Sequence, residues 1–284
     1  MPSSYAYPEV LVSPAWLSRR LDDPSLRIVE VDLDPKAYWQ GHIPGALSWS
    51  WSTQLSDPLT RDILSKNQFE LLLSDAGIDP STTVVLYGDH NNWFAAWAFW
   101  QLKIFGHQDV RLLNGGRSKW IREGRALSLE EPVYPSTIYF AADPDPSLRA
   151  LLPEVRERQV AGSADFVDVR SVQEFSGEIL APPGSIESCQ RGGHIPGAKN
   201  IPWSATTRKD GMFKSFLELR KLFADAGVDG SRPVITYCRI GERSSHTWFV
   251  LRYLLGYLAV KNYDGSWTEW GNLVGAPVER GPGF

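Results

Sequence analysis

Two kinds of apolar pattern alternate along this 284-residue chain. Short apolar runs, such as residues 84–87 and 234–237, are typical of strands that are buried on both faces. Longer segments space their apolar side chains along one helix face, as residues 66–76 do before the pattern stops at Gly77. Strands that alternate with helices in this way predict an α/β fold, with a mainly parallel sheet flanked by helices on both faces. The predicted strands are residues 28–32, 84–87, 110–113, 166–169, 234–237 and 260–263, and the predicted helices are residues 66–76, 92–105, 215–226 and 244–255.

The pattern occurs twice, because the parts of the first half have counterparts about 150 residues further on. The sequence GHIPGA stands at residues 41–46 and again at residues 193–198. Both halves also contain a later tryptophan segment, NGGRSKW at residues 114–120 and DGSWTEW at residues 264–270. Solenoid repeats are about 20–50 residues long, so a period of this length indicates a duplicated domain.

We therefore predict two tandem α/β domains, at residues 1–121 and 154–284. The total length fits this division, since one domain typically takes about 150 residues. The proline-rich segment between them, residues 122–153, is the predicted linker and contains the sequence DPDP. Segments of this composition are typically extended spacers.

Composition excludes several classes of protein. With 33 acidic and 29 basic residues, the chain lacks the basic excess of a nucleic-acid-binding protein. Its most apolar segment is interrupted by Gln101 and Lys103, so no membrane span is predicted. The first residues lack the pattern of a secretory signal. Two cysteines do not make a disulfide scaffold, so we expect a reducing, cytoplasmic location.

The hexapeptide CRIGER, at residues 238–243, is the candidate catalytic site. Cys238 directly follows a predicted strand, and ligands of parallel sheets bind beyond the carboxyl ends of the strands. In a loop that leads into a helix, backbone N–H groups converge on one point and favour a thiolate or a bound anion. Gly241 lets such a loop turn, because glycine tolerates a positive φ. The predicted backbone donors are the N–H groups of Ile240, Gly241 and Glu242.

The two halves differ at this site. The first half has GDHNN at residues 88–92 in place of the hexapeptide and contains no cysteine, so we interpret it as an inactive scaffold. The second half also carries an insertion, within residues 177–193, before its GHIPGA segment. Long loops in compact domains are often functional. We expect this loop, which contains Glu178, Cys189 and Arg191, to fold over the catalytic cleft.

Together, these segments resemble the rhodanese family. The sequences YWQGHIPGA at residues 38–46 and YDGSWTEW at residues 263–270 are similar to the two signature segments of rhodaneses. The similarity is greatest to the tandem-domain thiosulfate sulfurtransferases, in which the first domain is inactive and the second is active. The resemblance implies that the Cys238 thiolate attacks the sulfane sulfur of thiosulfate, releases sulfite and becomes a persulfide. The persulfide would then pass its sulfur to cyanide or a thiol in a ping-pong reaction, for which we expect neither a cofactor nor a metal.

The same resemblance suggests which residues bind the substrate. The expected partners are a small anionic sulfur donor and a thiophilic acceptor. Thiosulfate is a dianion, so the guanidinium groups of Arg239 and Arg243 would offset its charge as it approaches a thiolate. Arg191 lies near the position at which mercaptopyruvate sulfurtransferases tend to carry an arginine. Ile240 stands where well-known rhodaneses have lysine. Glu242 is unfavourable beside a dianion unless its side chain points away and orients an arginine, so its role is left unexplained.

Three alternatives stay open. A 3-mercaptopyruvate sulfurtransferase would use the same cysteine with another donor, although such enzymes usually have a small, weakly charged residue at the position of Arg239. A sulfur carrier would hold one persulfide for a partner without catalytic turnover. A cysteine-dependent phosphatase of this type of fold would use a Cys-x5-Arg loop, which is one residue longer than the spacing from Cys238 to Arg243.

Two histidines and two aspartates have the chemistry of catalytic groups but recur in both halves. His42 and His194 occupy the same GHIPGA context, including the half without cysteine, so we predict that each holds a turn through hydrogen bonds. By the same reasoning, Asp32 and Asp168 are predicted to fix loops at the ends of strands.

Overall fold

The computed structural model describes residues 4–185 and 189–282. It divides into two compact units, each of which contains one copy of the duplicated α/β pattern. The N-terminal unit comprises Glu9–Asp145 and Arg208–Phe213, and the C-terminal unit comprises Met1–Pro8, Pro146–Thr207 and Lys214–Phe284.

A parallel sheet forms the centre of the N-terminal unit. Its strands are β1 (Leu11–Val12), β2 (Leu26–Asp32), β3 (Ala46–Ser50), β4 (Thr83–Tyr87) and β5 (Val110–Leu113), and its helices are α1 (Pro14–Ser18), α2 (Lys36–Trp39), α3 (Lys66–Asp75), α4 (Trp93–Ile104) and α5 (Gly116–Arg122). In the described part of the unit, the strands pair in the order β1-β5-β4-β2-β3, and every pair is parallel. The central strands β2 and β4 are mostly buried, which is why β4 appears in the sequence as a nearly continuous apolar run, although β2 also contains Arg27, Glu30 and Asp32.

The C-terminal unit repeats this plan. Its strands are β6 (Asp165–Asp168), β7 (Lys199–Asn200), β8 (Val234–Tyr237) and β9 (Val260–Asn262), and its helices are α6 (Leu152–Ala161), α7 (Val172–Ser176), α8 (Phe216–Asp225), α9 (Glu242–Phe249) and α10 (Ser266–Trp270). In the described residues the parallel order is β7-β6-β8-β9. Two of the helices begin with a capping box, formed by Ser171 with Glu174 and by Ser215 with Glu218.

The predicted strands and helices are confirmed, with shifts of one or two residues at most ends. The shift that matters is in α9, which begins at Glu242 rather than at Ser244, with Gly241 as its N-cap at a φ of 101°. Glu242 and Arg243 therefore lie in the first turn of a helix rather than in a loop. After Phe249 the chain continues as a π-helical turn, Val250–Leu254, where a regular helix was expected.

The predicted linker, residues 122–153, stays a prediction as a boundary between domains. Its first part, up to Asp145, belongs to the N-terminal unit, where the Thr137 N–H donates to the Ser74 carbonyl at 2.9 Å and the Tyr134 hydroxyl donates to the Gly45 carbonyl at 2.8 Å. An extended segment needs partners for its backbone groups, and the rest of this unit supplies some of them. Composition does not reveal these partners, because they are distant in sequence.

The strand register brings Cys238 to the carboxyl edge of the second sheet. Asp168 at the end of β6 lies opposite Tyr237, and Thr236 in β8 lies opposite Asn262 at the end of β9. The three strands therefore end at the same edge. The segments that follow them meet there, and one of these segments begins with Cys238.

The described ranges contain neither a membrane-spanning helix nor a metal cluster. None of their helices is long and apolar enough to cross a membrane. No group of three or more histidine, cysteine, aspartate or glutamate side chains in these ranges is arranged to hold a metal ion. Cys189 and Cys238 are both buried and are free of disulfide bonds.

Candidate active site

Cys238 lies between the end of β8 and the start of α9, and its side chain is fully buried. The Gly241 N–H donates to Cys238 Sγ at 3.1 Å, so a backbone donor at the N-terminus of α9 points at the sulfur. The Cys238 N–H in turn donates to the Ser266 hydroxyl oxygen at 3.1 Å. Gly241 thus has the predicted donor role, whereas the roles of Ile240 and Glu242 as backbone donors stay predictions.

The protonation of Cys238 differs from the expectation of a resting thiolate. Burial raises the pKa of the Cys238 thiol, and the charge of Glu242 raises it further, while Arg243 and hydrogen bonds from Ser244 act in the opposite direction. The first two effects are the stronger, and they favour the thiol over the thiolate. The cations and the helix terminus favour the thiolate, but desolvation opposes it and is not visible in the sequence.

Glu242, whose role the sequence left unexplained, does not point away from the sulfur. The Cys238 thiol donates to Glu242 Oε2 at 3.4 Å. The other carboxylate oxygen, Oε1, lies 3.6 Å from Arg243 Nε, so Glu242 does contact an arginine. A glutamate in the first turn of α9 is one turn from Cys238, which explains how its side chain reaches back to the sulfur.

Arg243 is held in a buried ion pair with Glu174 of α7. Its two terminal nitrogens donate to the two Glu174 carboxylate oxygens at 3.0 and 3.1 Å. Burial alone would raise the pKa of Glu174, but the hydrogen bonds and charge of Arg243 outweigh it and lower that pKa. A guanidinium in a two-point contact with a carboxylate presents less of its surface to a substrate. The predicted substrate-binding role of Arg243 is therefore indirect at most, through the positive charge that it places near Cys238.

Arg239 follows the cysteine directly and is 3% exposed. Its backbone carbonyl accepts the Thr268 N–H of α10 at 3.0 Å, which fixes the start of the loop. Burial raises the pKa of the Cys189 thiol, and the charge of Arg239 is among those that oppose this shift. The guanidinium thus lies within electrostatic range of the insertion, and its substrate-binding role stays a prediction.

Arg191 has structural contacts instead of a position facing the sulfur. Its guanidinium donates to four backbone carbonyls at 2.6–2.9 Å. These carbonyls end α10 and continue the segment after it, so Arg191 caps the helix that carries Ser266. The acceptors are the carbonyls of Trp270, Gly271, Leu273 and Ala276.

The insertion at residues 177–193 is described except for residues 186–188, which lie outside the described ranges. Cys189 is buried in the core of the C-terminal unit, and its Sγ donates to the Arg191 carbonyl at 3.4 Å. The Trp267 indole N–H donates to the same carbonyl at 2.9 Å. This end of the loop therefore packs on α10, while the expectation that the loop covers the cleft, with Glu178 in it, stays a prediction.

Ser266 is a site residue that the sequence argument missed. It adopts a φ of 53°, a left-handed conformation that is unusual for a residue with a side chain. In the N-terminal unit the corresponding residue is Gly116, at a φ of 56°. The sequence contained a signal for this difference. When the two tryptophan segments are aligned, the second has Ser266 where the first has Gly116.

A buried ion pair, whose arginine the sequence did not single out, also supports the loops around the site. Arg170 and Asp168 are fully buried and form an ion pair of 2.6 Å at the end of β6. The Arg170 guanidinium also donates to the Gly193 carbonyl at 2.6 Å and lies 4.7 Å from the Trp267 ring centroid. Asp168 thus fixes a loop at a strand end, as predicted. In the first half the corresponding strand end has Asp34 in place of Arg170.

The two GHIPGA histidines have the predicted structural role. His42 stacks on Tyr38, and its ring nitrogens lie 3.1 and 3.0 Å from the carbonyls of Tyr38 and Glu130. His194 stacks on Phe175, and its Nδ1 lies 2.8 Å from the carbonyl of that residue. Both histidines therefore join their turn to neighbouring segments.

The corresponding loop of the N-terminal unit has no sulfur. The Gly88 N–H donates to Asn92 Oδ1 at 3.0 Å, so an amide side chain replaces the thiol as the acceptor inside the loop. The Asp89 N–H donates to Asp32 at 2.9 Å, which is the predicted loop-fixing role of that aspartate. Burial raises the pKa of Asp32 to about 8, and the charges of Glu30 and Asp89 add to this shift. Asp89 stands in this loop where the second half has Arg239, so the loop lacks that cation for an anionic donor, which supports the interpretation of this unit as a scaffold.

Comparison with known proteins agrees with this geometry. The family model of the rhodanese-like domain matches residues 13–123 and again residues 151–273. A Haloferax volcanii protein named "Putative thiosulfate sulfurtransferase" is 55% identical over 284 residues, which cover 98% of this chain and 99% of that protein. The "Sulfur carrier protein TtuD" of Thermus thermophilus is 53% identical over 281 residues, which cover 98% of this chain and 99% of that protein.

Solved structures include proteins with the same fold. The anaerobic ergothioneine biosynthesis enzyme of Chlorobium limicola, in complex with trimethyl histidine, has a TM-score of 0.87 at 27% identity. The match covers 98% of this chain and 71% of that enzyme. A structure of EanB with a cysteine persulfide, in a tetrahedral intermediate state with ergothioneine, has a TM-score of 0.85 at 26% identity and covers 98% of this chain and 72% of that one.

Proposed function

The chain belongs to the rhodanese family of sulfurtransferases, in two copies, and we propose that it moves the sulfane sulfur of thiosulfate to cyanide or a thiol through a persulfide on Cys238. The two family matches leave open which copy is active. The observation that carries the proposal is the Gly241 N–H, which donates to Cys238 Sγ at the N-terminus of α9. The corresponding loop of the N-terminal unit has no sulfur, so the proposed chemistry belongs to the C-terminal unit.

The proposed reaction has two halves. In the first, a bond forms between Cys238 Sγ and the sulfane sulfur while the sulfur–sulfur bond of thiosulfate breaks, and sulfite leaves with the bonding electron pair. In the second, the acceptor attacks the outer sulfur of the persulfide, and the Cys238 thiolate leaves. Because the outer sulfur is an anion in the persulfide, the Gly241 N–H and the positive end of α9 favour the intermediate.

Arg239 is the proposed contact for the sulfonate oxygens of thiosulfate. It is the first residue after the cysteine, and its planar guanidinium suits two-point contacts with oxyanions. Arg243 would contribute positive charge while it stays paired with Glu174. Arg191 has no part in the proposed substrate site, because its donors already bind backbone carbonyls.

A sulfur carrier is the second candidate. The protein named sulfur carrier TtuD is 53% identical to this chain over almost its whole length. The buried position of Cys238 also fits a persulfide that is protected until a partner arrives. A carrier and an enzyme share the persulfide but differ in turnover.

The test is thiocyanate formation from thiosulfate and cyanide, measured beside turnover with 3-mercaptopyruvate and with an aryl phosphate. We expect many turnovers with thiosulfate, a higher kcat/KM for thiosulfate than for 3-mercaptopyruvate, and complete loss in Cys238→Ser. The Cys189→Ser variant is the matched control and should keep its activity. One sulfur loaded per chain without turnover would favour the carrier, and Cys238-dependent phosphate release would contradict the proposal.

A further inference from the structure

Glu242 is a buried carboxylate in direct contact with the sulfur that is proposed to react. Its Oε2 accepts the Cys238 thiol at 3.4 Å, and the residue is 7% exposed. The reaction proposed above has no other assignment for this contact. We propose that Glu242 is a catalytic residue that takes the thiol proton when sulfur is loaded onto Cys238 and returns it when sulfur leaves.

The surroundings favour a proton that stays within the pair. Transfer from Sγ to the carboxylate leaves the net charge of the pair unchanged, whereas loss of the proton to water would leave two adjacent negative charges in a buried site. Arg243 Nε lies 3.6 Å from Glu242 Oε1, so its charge can stabilise one negative charge, whether that charge is on Glu242 or on Cys238. Its own charge is already matched by Glu174, so it cannot neutralise a second one.

Other ionisable groups near the pair are held in contacts of their own. Arg170 and Asp168 form a closed ion pair at the end of β6, and Asp264 pairs with Arg149 after β9. His246 lies one turn beyond Glu242 on α9 and packs against Trp203. The charged and titratable groups carried by the elements around the pair are Arg239, Arg243 and His246 from its own loop and helix, Glu174 from α7, Asp168 and Arg170 from β6 and the segment after it, and Asp264 from the segment after β9.

Transfer of the thiol proton to Glu242 removes two obstacles to the loading of sulfur onto Cys238. The resting thiol must lose its proton to become a nucleophile, because burial and Glu242 both raise the pKa of Cys238. A carboxylate beside the sulfur would also repel a dianionic donor. When the proton moves to Glu242, the nucleophile forms and the carboxylate becomes neutral in the same event.

The steps balance over the whole cycle. In loading, Cys238–SH and Glu242–COO⁻ become Cys238–S⁻ and Glu242–COOH, the thiolate bonds to the sulfane sulfur, and sulfite leaves with the electron pair of the broken bond. In unloading, cyanide bonds to the outer sulfur, thiocyanate forms and Cys238 leaves as a thiolate. Glu242 then returns its proton to that thiolate, which restores the resting pair. Glu242 therefore serves as the base of the first half and as the acid of the second.

This inference rests on the proposed function only for the identity of the donor, so its first test uses no donor. The rate at which iodoacetamide alkylates Cys238 is measured against pH, with the adduct located by mass spectrometry, for the wild type and Glu242→Gln. If the proton moves to Glu242, the wild type has a pH-independent plateau on the acid side of the thiol titration. Glu242→Gln should lack the plateau, so that its rate rises in proportion to hydroxide concentration. Superimposable profiles would overturn the proposal.

The second test follows turnover with thiosulfate. Positioned acid–base groups contribute about 10²–10⁴-fold, so kcat/KM of Glu242→Gln should fall about 10²-fold at neutral pH and recover as the pH rises. Glu242→Asp should restore part of the loss, and Glu157→Gln, which removes an exposed carboxylate of α6, should behave as the wild type. An unchanged profile in Glu242→Gln, or activity at neutral pH that equals or exceeds that of the wild type, would contradict the proposal.

A third measurement needs no variant and so does not depend on how Glu242→Gln folds. When the wild type is loaded with thiosulfate in weak buffer, the proton should stay on Glu242. Sulfite takes up protons near neutral pH, so an indicator dye should record only that uptake and no proton release once the uptake is subtracted. One proton released per persulfide would overturn the role of Glu242. A wild type that gains no sulfur from thiosulfate would instead contradict the proposed donor, and the alkylation profile would still decide the role of Glu242.

Discussion

Ser266 supports Cys238 from a strained backbone conformation. Its hydroxyl oxygen accepts the Cys238 N–H at 3.1 Å, and its hydroxyl donates to the Tyr263 carbonyl at 2.6 Å. To make both contacts it adopts a φ of 53°, whereas the N-terminal unit has Gly116 at this position. A left-handed conformation costs a residue with a side chain about 1–3 kcal/mol. The serine therefore fixes the cysteine loop at a cost in stability that the scaffold copy avoids.

Replacing Ser266 should separate this strain from the hydrogen bonds. Ser266→Ala and Ser266→Gly both remove the acceptor of a buried N–H, so both should lose about tenfold in kcat/KM for thiosulfate. Ser266→Ala keeps the strain and Ser266→Gly relieves it, so the alanine variant should be less stable by about 1 kcal/mol. Urea unfolding of the two variants measures the difference. Equal free energies of unfolding would show that the φ of this residue carries no strain.

The fold was predictable because its main elements are long or strongly apolar. β4 and β8 are mainly apolar runs, and α3 and α8 have one apolar face, so their patterns are visible in the sequence. Short helices such as α2 and α10, with four and five residues, are too brief to show a period. The contacts of the predicted linker could not be predicted, because the partners of its backbone lie far away in sequence.

Of the site, only the part that differs between the two halves could be predicted from the sequence. Comparison of the halves identified the Cys238 loop, because it is the part that the first half lacks. It could not identify side-chain partners, such as Glu174, which lies 69 positions from Arg243. It also left Glu242 unexplained, because the charge of a carboxylate does not reveal that its side chain accepts a hydrogen bond from the buried thiol.

Arg191 should matter for stability rather than for the donor. Its guanidinium donates to four carbonyls at the end of α10, so Arg191→Met should lower the free energy of unfolding by about 2–4 kcal/mol. The KM for thiosulfate should stay within about twofold of the wild type, because no donor of this side chain is aimed at the substrate. Denaturant titration and steady-state kinetics on one preparation check both parts. A raised KM with unchanged stability would restore Arg191 to the substrate site.

The pair of Glu174 and Arg243 should stabilise the C-terminal unit in a pH-dependent way. Glu174→Gln keeps the capping box but leaves Arg243 buried without its partner, so we expect a loss of about 3 kcal/mol near neutral pH. Arg243 lowers the pKa of Glu174 in the folded state, so this contribution is present above the usual pKa of 4.5 and is lost as the pH falls through the lower folded value. The wild-type and variant curves of unfolding free energy should therefore converge in acid. Curves that stay parallel would contradict the assignment.

Asp32 should have the opposite pH dependence. Its pKa is about 8 in the folded state against an ordinary value of 3.8, so between these values the folded chain holds a proton that the unfolded chain has lost. Stability therefore falls as the pH rises through this window. Asp32→Asn can keep the acceptor for the Asp89 N–H, and it should be more stable than the wild type by at least about 1 kcal/mol near pH 8 and by less near pH 5.

Thermal unfolding at the two pH values measures this difference. The matched control is Asp34→Asn, two residues further on, where the carboxylate is exposed and pairs with Lys36. Its stability relative to the wild type should not improve as the pH rises. A constant difference between Asp32→Asn and the wild type across the range would show that Asp32 is ionised in the folded chain.

Arg239 should distinguish donors by their charge. If its guanidinium binds the sulfonate oxygens, Arg239→Ala loses charged hydrogen bonds of about 1.5–3 kcal/mol, which is about 10–100-fold in KM for thiosulfate. An uncharged sulfane-sulfur donor makes no such contact, so its KM should change little. Arg239→Lys keeps the charge but not the planar fork, and it should lie between the wild type and the alanine variant. The control for net charge is Arg232→Ala, whose side chain is 48% exposed and should leave both KM values unchanged. If Arg239→Ala raised KM equally for both donors, the residue would be shaping the loop rather than recognising the anion.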